Sequence, residues 1–107
     1  MITAKYTVER NKHTLVVLGH SRYAEYGSDI VCAGASALVQ ALIGWVDDSD
    51  CVVECISRDD INNEVIVSCL GGKDVEAAFS VTYIGLEQIA ECYPNHLQVD
   101  KDIGLAD

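Results

Sequence analysis

Residues 2–19 read "ITAKYTVERNKHTLVVLG", and this stretch decides the class of fold. Residues 2–9 alternate apolar and polar side chains, the pattern of a strand with one buried face. "RNK" at 10–12 is a turn signal, and "HTLVVLG" at 13–19 is a second apolar run rich in β-branched residues. Two such runs joined by a short polar break make a β-hairpin. The domain therefore opens with antiparallel pairing.

Working outward, residues 20–28 form a loop of nine residues, longer than the usual connection in a compact domain. Residues 29–46 then take up helical spacing, with Val31, Ala35, Leu38, Val39, Leu42 and Val46 on one face. Ser28 or Asp29 can cap this helix by accepting bonds from its free backbone N–H groups. "DDSD" ends it. "CVVECIS" and "NEVIVSCL" read as two further strands about the turn "RDDINN". Residues 73–92 are a second helix with Val75, Phe79, Thr82, Leu86 and Ile89 on one face, closed by Pro94. Gly85 inside that helix costs about 1 kcal/mol in propensity, so a packing reason is expected. The tail from His96 adds at most a short strand. The order ββαββα predicts an α+β fold, a single domain over residues 1–107 with a mainly antiparallel sheet and two packed helices.

Composition narrows the function. Seven Lys and Arg stand against seventeen Asp and Glu, a net charge of −10. Such a surface repels phosphate, so no nucleic acid and no anionic membrane is expected as a partner, whereas a basic protein suits it. The N-terminal stretch lacks the apolar core of an export signal, and no apolar run is read as approaching the ~18 residues of a membrane span. A cytoplasmic protein is expected. Five cysteines, at 32, 51, 55, 69 and 92, then read as reduced thiols, mostly small core side chains. Cys51 and Cys55 lack a CxxC motif or a nearby histidine, so no metal site is expected.

The chemistry concentrates in residues 19–36, "GHSRYAEYGSDIVCAGAS". His20 falls at a strand end and Cys32 in the first turn of a helix. Unpaired N–H groups and the helix dipole stabilise a thiolate there. An imidazole nearby can take the thiol proton, and helix-start amides, that of Cys32 among them, can hold an oxyanion. Asp29 either caps the helix or orients His20 as a third catalytic member. Ser36, one turn after Cys32, either bonds within the site or to its own helix backbone. Gly19 and Gly27 bracket the loop and permit unusual backbone angles or close approach of a peptide. On spacing alone, catalysis competes with a non-catalytic binding module and with a thiol redox sensor.

"GH" at 19–20 followed by "GSDIVCAGAS" at 27–36 resembles the signature of the ribosomal-processing cysteine protease family, Prp. The likeness extends to the ββαββα order and to "GLEQIAECYP" at 85–94, and it covers nearly the whole chain. Ser21 departs from the small apolar residue that follows the histidine in the family. The resemblance implies a cysteine endopeptidase with Cys32 as nucleophile and His20 as general base, Asp29, Ser36, Gly19 and Gly27 in supporting positions, and a loop that closes over substrate. It further implies a homodimer without cofactor. The implied substrate is the N-terminal extension of the large-subunit ribosomal protein L27 precursor, or a phage capsid or scaffold protein with a similar cleavage sequence.

Overall fold

The computed structural model describes residues 1–20, Ala24 and residues 29–104. Most of the 20–28 loop, with Gly27 and the alternative cap Ser28, lies outside the described residues. The elements run β1 (Ile2–Glu9), β2 (Lys12–Leu18), α1 (Ile30–Asp48), β3 (Val52–Asp59), β4 (Glu64–Leu70), α2 (Lys73–Cys92) and β5 (Leu97–Ile103). They form one five-stranded sheet in the order β3-β4-β2-β1-β5.

The hairpin is as read. β1 and β2 pair antiparallel from Thr3↔Leu18 to Glu9↔Lys12. Arg10, at the turn, takes a positive φ of 58°. Alternation then decides the core. Ile2, Ala4 and Tyr6 of β1 are buried, as are His13 and Leu15 of β2 and Val67 and Cys69 of β4. Registered partners share a face, so these residues form one apolar layer. Val31, Ala35, Val39, Leu42, Ile43 and Val46 of α1 join it, with Val75, Phe79, Tyr83 and Leu86 of α2.

The helices cross where side chains are small. A Cβ on Gly85 would lie 2.7 Å from Leu38 Cδ2, which supplies the packing reason for a glycine inside α2. Near the far end of the layer, the Tyr6 ring stacks on Phe79 with centroids 5.8 Å apart, and its hydroxyl bonds His13 Nδ1 at 2.7 Å. His13 is thus a satisfied core histidine.

The structure differs from the sequence-based reading at three points. α1 runs through Asp47 and Asp48 before Ser49 caps it, because two exposed carboxylates at a helix end cost little in solvent. The tail is a full seven-residue strand, pairing parallel with β1 from Ile2↔Leu97 to Val8↔Ile103. Pro94 ends α2, and the Ile2 N–H then donates to His96 O at 2.9 Å, which feeds the chain into that pairing. Finally, α1 is long and apolar enough, by length and composition, to cross a membrane, contrary to the sequence-based reading. Its most apolar stripe is instead spent on the core of the domain.

β3 differs from the other strands. It occupies a sheet edge, and seven of its eight residues are exposed. A register irregularity between Val53 and Cys55 interrupts its pairing with β4.

Candidate active site

The site begins at the end of β2. Gly19 sits at φ +99°, and a Cβ there would run into the main-chain oxygen of Met1. Glycine is needed twice over, for the backbone angle and for the close approach. Its N–H donates to Asn63 O at 2.9 Å, which ties the strand end to the β3–β4 turn. His20 follows as an exposed residue.

The second half is the start of α1. Asp29 is the N-cap, at φ −83° and ψ 99°. Its Oδ1 accepts the Cys32 N–H at 2.9 Å, and its carbonyl accepts the Ala33 N–H at 3.0 Å. Of the two roles open to Asp29, capping is therefore realised. One expectation changes with it. The Cys32 amide is already taken by Asp29, so it is not free to hold an oxyanion. Helix geometry leaves the other first-turn amides, those of Ile30 and Val31, without an intrahelical acceptor.

His20, Cys32 and Ser36 line one cavity of about 300 Å³, together with Gly19. Cys32 is half-buried there, and Ser36 is exposed one turn further along the helix. The inner wall is apolar, formed by Ile2, Val17, Ala35, Val39 and Val65. The outer wall is polar and comes from the end of β3, the β3–β4 turn and the start of β4, with Arg58, Asp59, Asp60, Asn63 and Glu64. Sequence reading treated "RDDINN" only as a turn. Its density of charge was the available signal, but its place opposite Cys32 depends on strand order, which local patterns do not reveal.

That turn is firmly built. Asp59 Oδ1 accepts the N–H groups of Ile61 at 3.0 Å and Asn62 at 3.1 Å, and its Oδ2 accepts the Asn62 side-chain amide at 2.7 Å. These bonds, from Asn62 foremost, hold the Asp59 carboxyl below the usual carboxylate range.

The remaining cysteines have other settings. Cys69 is fully buried, and burial pushes its thiol up to about 12, with the nearby Cys51 thiol adding to the effect. Such a thiol stays protonated and is a poor nucleophile. The Ser49 hydroxyl donates to Cys51 Sγ at 3.0 Å. Cys55 and Cys92 are exposed, which corrects the expectation that the thiols are mostly core residues. Among the described residues, no three His, Cys, Asp or Glu side chains gather in a way that would cage a metal ion.

The site joins a histidine, a helix-start thiol and an extended cleft, a combination suited to nucleophilic attack on a bound peptide. Comparison with known proteins points the same way. Residues 1–98 match the family model described as cysteine protease Prp. The ribosomal processing cysteine protease Prp of Mycoplasma genitalium is 29% identical over 92 residues, covering 86% of this chain and 91% of that protein. The Staphylococcus aureus protein of the same name is 48% identical over 54 residues, 45% of this chain and 51% of that protein. A crystal structure of the essential ribosomal processing protease Prp from S. aureus, in complex with a covalently linked product peptide, superposes with a TM-score of 0.85. It is 25% identical and covers 94% of this chain and 99% of that one.

Proposed function

We propose, for a chain that belongs to the cysteine protease Prp family, that Cys32 and His20 form the catalytic dyad of its cysteine peptidase activity. The observation that carries the assignment is the shared cavity: a half-buried thiol in the first turn of α1 and an exposed imidazole at the end of β2 line one cleft. The S. aureus relative with its covalently linked product peptide supports a covalent mechanism.

The steps follow from the chemistry of the groups. A peptide lies in the cleft with its scissile carbonyl at Cys32 Sγ. His20 takes the thiol proton, and the thiolate attacks the carbonyl carbon. The positive end of the α1 dipole, at which Cys32 sits, stabilises the negative charge that develops on oxygen. His20 returns the proton to the leaving amine, which leaves a thioester on Cys32. Water, deprotonated by His20, attacks that thioester and regenerates the thiol.

The substrate of this reading is the N-terminal extension of the ribosomal protein L27 precursor, cut in the cytoplasm. A phage capsid or scaffold protein with a similar cleavage sequence is the alternative target. The names of the curated relatives support the first, and the net charge of −10 suits a basic ribosomal protein. We also read the working form as a homodimer. Its support is β3, an edge strand with Val52 58%, Val53 45% and Ile56 37% exposed.

Incubation of the protein with the precursor and with a capsid-protein peptide, followed by mass spectrometry, tests the function. Cleavage at one bond is expected, and Cys32→Ala should remove it. Cleavage that survives in Cys32→Ala contradicts the nucleophile. Binding without cleavage by the unaltered protein favours the interaction-module reading.

A further inference from the structure

Two ladders of side chains define the cleft beyond the dyad. The first lies on α1, where Cys32, Ser36 and Gln40 recur every fourth residue and all line the cavity. Residues four apart stack on one helix face, and eight residues rise about 12 Å. The second ladder crosses the sheet. Val17 of β2 is registered with Val65 of β4, and Val65 with Arg58 of β3. Directly paired residues share a sheet face, and two strand spacings span about 10 Å. The ladders start near His20 and Cys32 and converge at their outer ends, where Arg58 Nη2 donates to Gln40 Oε1 at 2.8 Å.

Resting on the assignment of Cys32 as nucleophile, we infer that the Arg58–Gln40 pair closes the outer end of the substrate cleft and selects the peptide residue that reaches it. An extended peptide advances about 3.3 Å per residue, so the 12 Å between Cys32 and Gln40 holds three to four residues on one side of the scissile bond. The guanidinium has five N–H donors and spends one on Gln40 in this bond. The others can meet an acceptor, and because Asp59, Asp60 and Glu64 line the same wall and repel a carboxylate, Arg58 favours a neutral amide side chain at the third or fourth position from the cut. Val17, Ala35, Val39 and Val65 form the apolar part of the lining along that path, and Asp59, Asp60, Asn63 and Glu64 form the polar wall beside Arg58. Gln40 is the positioning residue, since its amide oxygen holds the guanidinium across the cleft mouth.

The test uses the full chain and a set of peptides in which each position on either side of the scissile bond is glutamine or leucine in turn. The readout is the glutamine-to-leucine ratio of kcat/KM at each position. A charge-assisted hydrogen bond gives a preference of about tenfold at one position, three or four residues from the cut. Arg58→Met, which keeps much of the stem and removes the donors, should bring that ratio close to one. Gln40→Ala should lower it by releasing the guanidinium. Thermal melts and the Cys32 alkylation rate confirm that both variants remain folded. A flat profile in the unaltered protein, or a ratio that persists in Arg58→Met, overturns the inference while leaving the dyad intact. Failure of the unaltered protein to cut any peptide, or cutting by Cys32→Ala, overturns the site assignment and the inference with it.

Discussion

Replacing Gly19 with alanine tests how the fold delivers His20 to the cleft. The φ of +99° lies well outside the left-handed well near +57° that L-residues visit. Holding a side-chain-bearing residue there costs about 1–3 kcal/mol. The added Cβ meets the Met1 main-chain oxygen, and Ile2, the next residue, is pinned by its bond to His96 O. Relieving that overlap costs roughly another 1–3 kcal/mol. A total of about 2–6 kcal/mol is a large part of the roughly 5–15 kcal/mol that stabilises a domain of this size. Urea unfolding followed by circular dichroism should show that loss, with the melting temperature falling about 4–8 °C per kcal/mol. The damage is local as well. The Gly19 bond to Asn63 sets the position of His20, and a shift of about 1 Å in a catalytic group can cost about a hundredfold in rate. Peptide cleavage at a temperature where the variant is fully folded should therefore still be depressed. A Gly19→Ala protein within 0.5 kcal/mol of the original and of equal activity refutes the reasoning.

Three further outcomes are expected. Asp29→Ala removes the cap and should cost about 1 kcal/mol, while Asp29→Asn keeps an acceptor for the Cys32 N–H and should stay within a few tenths; a large loss of turnover in Asp29→Asn despite intact stability points instead to a carboxylate that orients His20. Burial lowers the His13 pKa below the ordinary 6.5, against an opposing pull from Glu76. A depressed histidine binds its proton more readily in the unfolded chain, so its contribution to stability is complete above about pH 6.5 and is lost as pH falls toward the folded value. Urea midpoints at pH 7.5 and 5.5 should show this loss, reduced in His13→Gln. Val53→Lys on the exposed edge strand β3 should convert the proposed dimer to monomer in light scattering while leaving the fold intact.

The elements were legible wherever periodicity was strong. The alternation of Ile2, Ala4 and Tyr6 and the helical spacing of Val31, Ala35 and Leu42 both follow from a buried face, and a buried face leaves its mark on the sequence. β5 was harder to read because Leu97 alone on that strand is fully buried, and its pairing with β1 depends on the path of the chain through α2. The same division runs through the site. Gly19, His20, Asp29, Cys32 and Ser36 sit close in sequence and could be picked out together. Arg58 and Gln40 carry no local mark of function, and their meeting is a product of strand order and helix placement. The exposure of β3 was hidden for a related reason: "CVVECIS" has the composition of a core strand but occupies a sheet edge.

The central claim is that Cys32 forms the covalent intermediate with peptide. Rapid acid quenching during turnover of the precursor peptide, followed by proteolytic mapping in the mass spectrometer, tests it directly. The account expects an acyl mass on the Cys32 thiol, absent in Cys32→Ser and strongly reduced in His20→Ala. An acyl mass on Cys51, Cys55, Cys69 or Cys92, or full turnover by Cys32→Ser, contradicts it.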